Sequence, residues 1–193
     1  MFEAIKAYYL RLVPQLTEAE WGELEQCLVV KQLRKGDFLV KAGQVCHYVT
    51  FINSGLLRLY YTVDGKEVSI GFARDGDYTS EYESFLMRKP AAQSIQVLTD
   101  CEVVDLSYQD MQTMYKRHPV FQEFGRKIAE FLFIVLNQRN TALLVMSPEE
   151  RYRQMIESNP HLLQVVPQYM LASYIGVTPE HLSRIRKKLA AKK

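Results

Sequence analysis

Between Val29 and Ser107 the chain is cut into short runs rich in Val, Ile, Phe, Tyr and Leu by turns that each carry a glycine: Lys35-Gly36-Asp37, Ala42-Gly43-Gln44, Asn53-Ser54-Gly55, Asp64-Gly65-Lys66 and Asp75-Gly76-Asp77. Turns recurring roughly every 8 to 12 residues between β-prone runs specify an antiparallel sandwich or barrel. The clearest hairpin is centred on Asp64-Gly65, between Leu59 to Val63 and Glu67 to Ile70, because Asp-Gly tolerates the positive φ that a tight turn demands. Strand character returns at 93–98 and 102–106, and the β region ends near Ser107.

Helical patterns flank and interrupt this region. In the first 28 residues, Thr17 precedes Glu20 in capping-box spacing, and Trp21, Leu24 and Leu28 follow at helical intervals. Ser80 to Met87 reads as one short helix inside the β region. Pro119 opens a long helix to about Val145, on which Phe121, Phe124, Ile128, Phe131, Val135, Ala142 and Val145 follow a heptad spacing interrupted by Gln138. Leu132 and Leu136 add a second apolar face. A helix apolar nearly all round, at the hinge of two small domains, reads either as a core helix packed within one chain or as a helix sandwiched between its own β domain and a twin helix; the second is preferred, with Phe121, Phe124, Ile128, Phe131, Val135 and Ala142 forming a homodimer interface. Ser147-Pro148-Glu149-Glu150 then caps a further helix, with Ser at N-cap, Pro at N1 and Glu at N3.

The segment Gln168 to Leu189 reads as two short helices joined by a tight turn, a helix-turn-helix. Ala172 marks the close crossing, Gly176 supplies the positive φ, Val177 plugs the corner, Thr178 caps the second helix and Pro179 takes its first position. At about 100° per residue, Leu182, Ile185 and Leu189 converge on one side. Glu180, Ser183, Arg184 and Lys187 converge on the other, with Arg186 and Lys188 on its flanks. Such a face suits a major groove: Glu accepts from a cytosine amino group, Arg forks onto guanine, and flanking cations grip phosphates.

Charge is divided accordingly. Residues 1–146 carry 16 Lys+Arg against 18 Asp+Glu, and residues 147–193 carry 8 against 4, which points to a polyanionic partner for the C-terminal part. Cys27, Cys46 and Cys101 are widely spaced, with no C-x-x-C pair, and read as reduced, mostly buried side chains without a metal site. The N-terminus lacks an export-signal pattern, and the longest apolar run, Phe131 to Leu136, is six residues against the ~20 of a spanning helix. These features predict a cytoplasmic protein without a membrane partner. No catalytic triad, metal spacing or phosphate loop is present, so an enzyme is not expected.

Taken together, these motifs resemble the Crp/Fnr superfamily of transcription regulators along the whole chain. The resemblance is carried by the Gly-punctuated β region, including Phe51-Ile52-Asn53-Ser54-Gly55, by the long helix, and by Gly176-Val177-Thr178, Glu180 and Ser183-Arg184. It implies an α+β fold: an N-terminal antiparallel β jelly roll of cyclic-nucleotide-binding type over 1–115, a dimerisation helix over 116–146, and a winged-helix-like helix-turn-helix domain over 147–193. It further implies base contacts by Glu180, Ser183 and Arg184, closer to the anaerobic-regulator branch than to the catabolite activator. Phosphate contacts are expected from Gln168, Thr178, Arg186, Lys187 and Lys188. The β wing is expected to be reduced to His161 to Val166. Operator DNA, a second copy of the chain, RNA polymerase and an unknown small-molecule effector are the expected partners; the alternative is a ligand-binding signalling adaptor that does not bind DNA.

The sensory pocket departs from the family pattern. Where cyclic-nucleotide binders carry a Gly-Glu pair and, ten residues on, an Arg that clamps the phosphate, this chain has Ser80-Glu81 and Ala91-Ala92. Glu81, Tyr82, Arg88 and Lys89 are the remaining pocket candidates, and a cyclic nucleotide is not the expected effector. Neither an iron-sulfur cluster nor haem is expected, since His47 is the lone histidine of the β region, and no cofactor is called for.

Overall fold

A computed structural model describes residues 2–191; Met1, Lys192 and Lys193, which close the expected first and last domains, lie outside the described residues. The chain forms two compact units, one comprising residues 1–61 and 72–131 and the other residues 62–71 and 132–193. This division differs from the expected linear one: the tip of one hairpin joins the C-terminal unit, and the long helix is shared between the two.

The first unit starts with helices α1 (Glu3–Leu12) and α2 (Glu18–Glu25), the second opened by the Thr17/Glu20 capping box. Strands β1 (Leu28–Leu33), β2 (Phe38–Val40), β3 (Tyr48–Ser54), β4 (Leu56–Val63), β5 (Lys66–Arg74) and β6 (Tyr78–Thr79) follow. Helix α3 (Tyr82–Met87) precedes β7 (Ser94–Val97) and β8 (Cys101–Ser107). They form two four-stranded sheets in the orders β1-β8-β3-β6 and β2-β7-β4-β5, the expected antiparallel jelly roll. Pairing of β8 with both β1 and β3 fixes the register of the first sheet, Val30 opposite Val104 and Phe51 opposite Val104 from the other side. Phe51, Ile52, Leu57, Phe85, Ile95, Val97 and Val103 are buried in the core. At the β4–β5 turn Asp64 and Gly65 take φ of 50° and 74°, the left-handed pair a two-residue hairpin needs.

Helices α4 (Tyr108–Arg117) and α5 (Pro119–Val145) follow the sheets. Here the heptad expectation is corrected. Phe121, Phe124 and Ile128 are buried within the first unit, where Phe124 stacks on Tyr9 at 3.8 Å between ring centres and Phe121 meets the same ring edge-on. Three of the six residues expected to face a twin helix are therefore covered by their own chain, because α1 supplies aromatic rings that the heptad spacing could not reveal. From Phe131 onward the same helix is bare: Phe131, Phe133, Ile134, Val135, Leu136, Leu143, Leu144 and Val145 are exposed, Phe133 by 72% and Leu144 by 86%. Ala142 is half-buried. By length and composition alone α5 is long and apolar enough to cross a membrane, although no continuous apolar run in it exceeds six residues.

The second unit adds α6 (Pro148–Ser158), α7 (Leu162–Val165), α8 (Gln168–Ile175) and α9 (Pro179–Ala190). The Ser147/Glu150 capping box opens α6, with Pro148 at its start. The expected reduced wing is replaced by a helix: α7 covers Leu162–Val165, and no strand follows β8 among the described residues. Its Leu162 is buried and Val166 closes the turn behind it, so this segment serves the core of the unit through a helical face.

Candidate nucleic-acid interface

Helices α8 and α9 are held at a fixed corner by local chemistry. Gly176 ends α8 at φ 77°, its N–H bonding back to the last turn, and the Val177 N–H donates to Ala172 O at 3.0 Å. A side chain at 176 would be strained by that φ. The Thr178 hydroxyl accepts the His181 N–H, and Pro179 starts α9 where a missing N–H costs nothing. Leu171, Ala172 and Ile175 of α8 and Leu182 and Ile185 of α9 are buried; of the α9 side that the helical wheel predicts, Leu182 and Ile185 are buried and Leu189 is half-buried.

Away from that side, Glu180, Arg184, Arg186 and Lys187 are exposed and Ser183 is half-exposed. Arg184, Arg186 and Lys187 have no ion-pair partner among the described residues. The Glu180 carboxyl lies below the usual carboxylate range: its own backbone N–H contributes most, followed by the Thr178 hydroxyl and the Arg184 charge. It is therefore an acceptor throughout the neutral range. The other expected phosphate contacts are partly engaged. Lys188 pairs with Glu149 of α6 at 2.6 Å, and the Gln168 side-chain amide donates to Pro179 O at 3.2 Å. Thr178 accepts the His181 N–H at the cap and its hydroxyl also hydrogen-bonds the Glu180 carboxylate.

One residue of this unit carried no sequence signal. Arg151, half-buried on α6, donates through Nε to Ile175 O at 2.9 Å and through NH1 to Met146 O at 2.6 Å and Leu143 O at 3.5 Å. A single guanidinium thus satisfies terminal carbonyls of both α5 and α8, groups that a helix end otherwise leaves unpaired. Its partners are backbone atoms distant in sequence, which no motif encodes. Arg139 of α5 reinforces the link, donating to Tyr174 O and lying 4.3 Å from the centre of the Tyr174 ring. From the hairpin tip, the Ser69 N–H donates to Ser173 Oγ at 3.1 Å.

The four candidate pocket residues do not converge. Glu81 is buried and caps α3, accepting the Ser84 N–H at 2.6 Å, with the Gln93 amide at 3.5 Å from its other oxygen. Tyr82 stacks on Phe85. Arg88 ends α3 at φ 55°, donates to Cys46 O at 2.7 Å and Phe85 O at 3.0 Å, and lies over the Tyr108 ring. Lys89 pairs with Glu83 at the surface. Ala91 is buried. The side chains near α3 are thus committed to the fold and do not form a clamp for a cyclic phosphate.

Residues 30–118 match the cyclic nucleotide-binding domain family. The whole architecture is shared with three solved structures: a Crp/Fnr-family transcriptional regulator from Eubacterium rectale (TM-score 0.74, 16% identity, 95% of this chain and 88% of that one), the c-di-GMP-responsive global regulator CLP of Xanthomonas campestris (0.71, 15%, 91% and 93%) and the catabolite activator protein of Thermus thermophilus (0.58, 21%, 94% and 87%). This chain has the Crp/Fnr fold. No curated protein is matched by its sequence. Within the Crp/Fnr fold, α5 is the long central helix and α8–α9 the helix-turn-helix.

Proposed function

We propose that the protein is a sequence-specific DNA-binding transcription regulator that works as a homodimer. The observation that carries this reading is α9: a capped helix whose apolar side is packed and whose opposite side offers an ionised Glu180, Ser183 and three unpaired cations to solvent. Glu180, Ser183 and Arg184 meet base edges, and Arg186, Lys187 and Lys188 grip phosphates on the groove walls, Lys188 exchanging Glu149 for a phosphate. The bare stretch of α5 from Phe131 to Val145 favours a twin copy as its cover, since apolar exposure on this scale on one helix is unfavourable in water. Pairing there presents two α9 helices to one duplex. The effector in this reading is not a cyclic nucleotide, because Glu81 and Arg88 would have to abandon buried hydrogen bonds to reach one.

Salt dependence of binding to duplex DNA tests the proposal. Three cations per protomer, six in the dimer, release roughly five counterions at about 0.9 per phosphate, so log K falls with log salt at a slope near −5. A flat dependence contradicts DNA binding and leaves the adaptor alternative.

A further inference from the structure

Inside the first compact unit lies a cavity of about 30 Å³, lined from the sheet by Val49, Tyr78 and Leu106 and from the helices by residues of α1 to α5, Tyr82 of α3 among them. A water needs about 10–15 Å³, so the space takes two or three heavy atoms without rearrangement. No charged side chain lines it, and its walls are predominantly carbon, which excludes an anion such as a nucleotide. The Tyr78 hydroxyl is buried with no partner at full hydrogen-bond geometry; the Tyr9 phenol is its polar neighbour, and burial pushes its acidity well down. A buried hydroxyl left unpaired costs about 1–3 kcal/mol and calls for a partner.

Two features keep the space open. Gly125 sits in the middle of α5, where glycine costs about 1 kcal/mol against alanine, and a Cβ there would overlap the Tyr115 hydroxyl. Met111 and Met114 of α4 form an adaptable wall, because unbranched thioethers refill irregular space at little cost.

We propose that this cavity binds a small neutral molecule, a short-chain alcohol or carbonyl compound, whose oxygen pairs with the Tyr78 hydroxyl and whose carbon end lies against Met111, Met114 and Leu106. A water would satisfy the hydroxyl, but it needs two to four polar partners and would meet mostly carbon. Phe121, Phe124, Gly125 and Ile128 of α5 line the same cavity, so the ligand touches the helix assigned to dimerisation; only this consequence rests on the proposed function.

Titration of protein labelled with ¹³C at the methionine methyls, using ethanol as the three-heavy-atom probe, tests the site without DNA. The Met111 and Met114 resonances are expected to move and saturate in the millimolar range while Met87, Met146, Met155 and Met170 do not. Tyr78→Phe removes only the unpaired hydroxyl, so it keeps the fold and weakens binding at least threefold. Shifts that stay linear at all the methyls, or equal affinity in Tyr78→Phe, overturn the proposal. Either outcome leaves the DNA-binding reading untouched.

Discussion

Helices α3 and α9 both carry the polar residues that the sequence resemblance singles out, and they use them in opposite ways. Around α3, Glu81 caps the helix, Arg88 satisfies two carbonyls and Lys89 pairs with Glu83. On α9 the caps come from Thr178 and Pro179; Arg184, Arg186 and Lys187 are exposed, and Glu180 is exposed with only local bonds to its own N–H and the Thr178 hydroxyl. A polar group already paired inside the protein must be extracted before it can serve a ligand, at about 1–3 kcal/mol each; a solvated one gives up only water. The difference teaches that a fold can retain the outline of a sensory pocket while spending its contents on stability, and that the functional face is the one the fold does not use.

Four outcomes would break or sharpen this contrast. The largest concerns pairing of α5 with its twin: Phe131→Glu puts a carboxylate on the bare face of α5, where burial of an unpaired charge is strongly unfavourable. Light scattering should find a folded monomer, with DNA affinity down by more than a hundredfold; a persisting dimer moves the interface elsewhere. Next, Arg184→Ala should lower discrimination between cognate and scrambled duplexes roughly ten- to a hundredfold, the worth of one bidentate contact to guanine, with the dimer intact. Unchanged preference in competition assays removes Arg184 from the reading face.

A smaller effect belongs to α3. Glu81→Ala removes an N-cap and should cost about 1 kcal/mol, hence roughly 2–4 °C in the thermal midpoint, without altering DNA preference. A change in preference at unchanged stability would make Glu81 a signalling residue and collapse the contrast. The smallest is an expected zero: cyclic AMP or cyclic GMP at micromolar concentration should move neither the midpoint nor DNA affinity, since a ligand shifts a regulator only by its differential affinity for two states. Saturable calorimetric binding below about 10 µM would show that Arg88 or Lys89 leaves its present partners to clamp the phosphate.

What the sequence disclosed follows from the range of the interactions involved. The capping boxes at Thr17 and Ser147, the Asp64-Gly65 turn and the Gly176 corner are short-range chemistry, written within four residues, and each is found where its motif stands. The jelly roll was legible through its turn rhythm. The fate of α5 was not: one heptad pattern runs through Phe124 and Phe131, yet Tyr9, more than a hundred residues away, buries the first and leaves the second bare. Ile128→Glu would accordingly strike the core of the first unit instead of a dimer contact. Arg151 was invisible because it bonds to backbone carbonyls, which carry no side-chain signature. The helical turn at Leu162–Val165 replaced a wing because a short, mostly apolar stretch such as Leu-Leu-Gln-Val is compatible with either structure until its neighbours are known.

Selection of duplexes from a random-sequence pool by the purified full-length protein addresses the central claim, that two α9 helices read DNA, most directly. The account predicts enrichment of a two-fold symmetric site whose half-sites lie about one helical turn apart, roughly 34–36 Å centre to centre, with a G·C pair at the Arg184 position that loses its enrichment in Arg184→Ala. A pool that emerges without a shared motif, or one enriched identically by the Arg184→Ala protein, would contradict it.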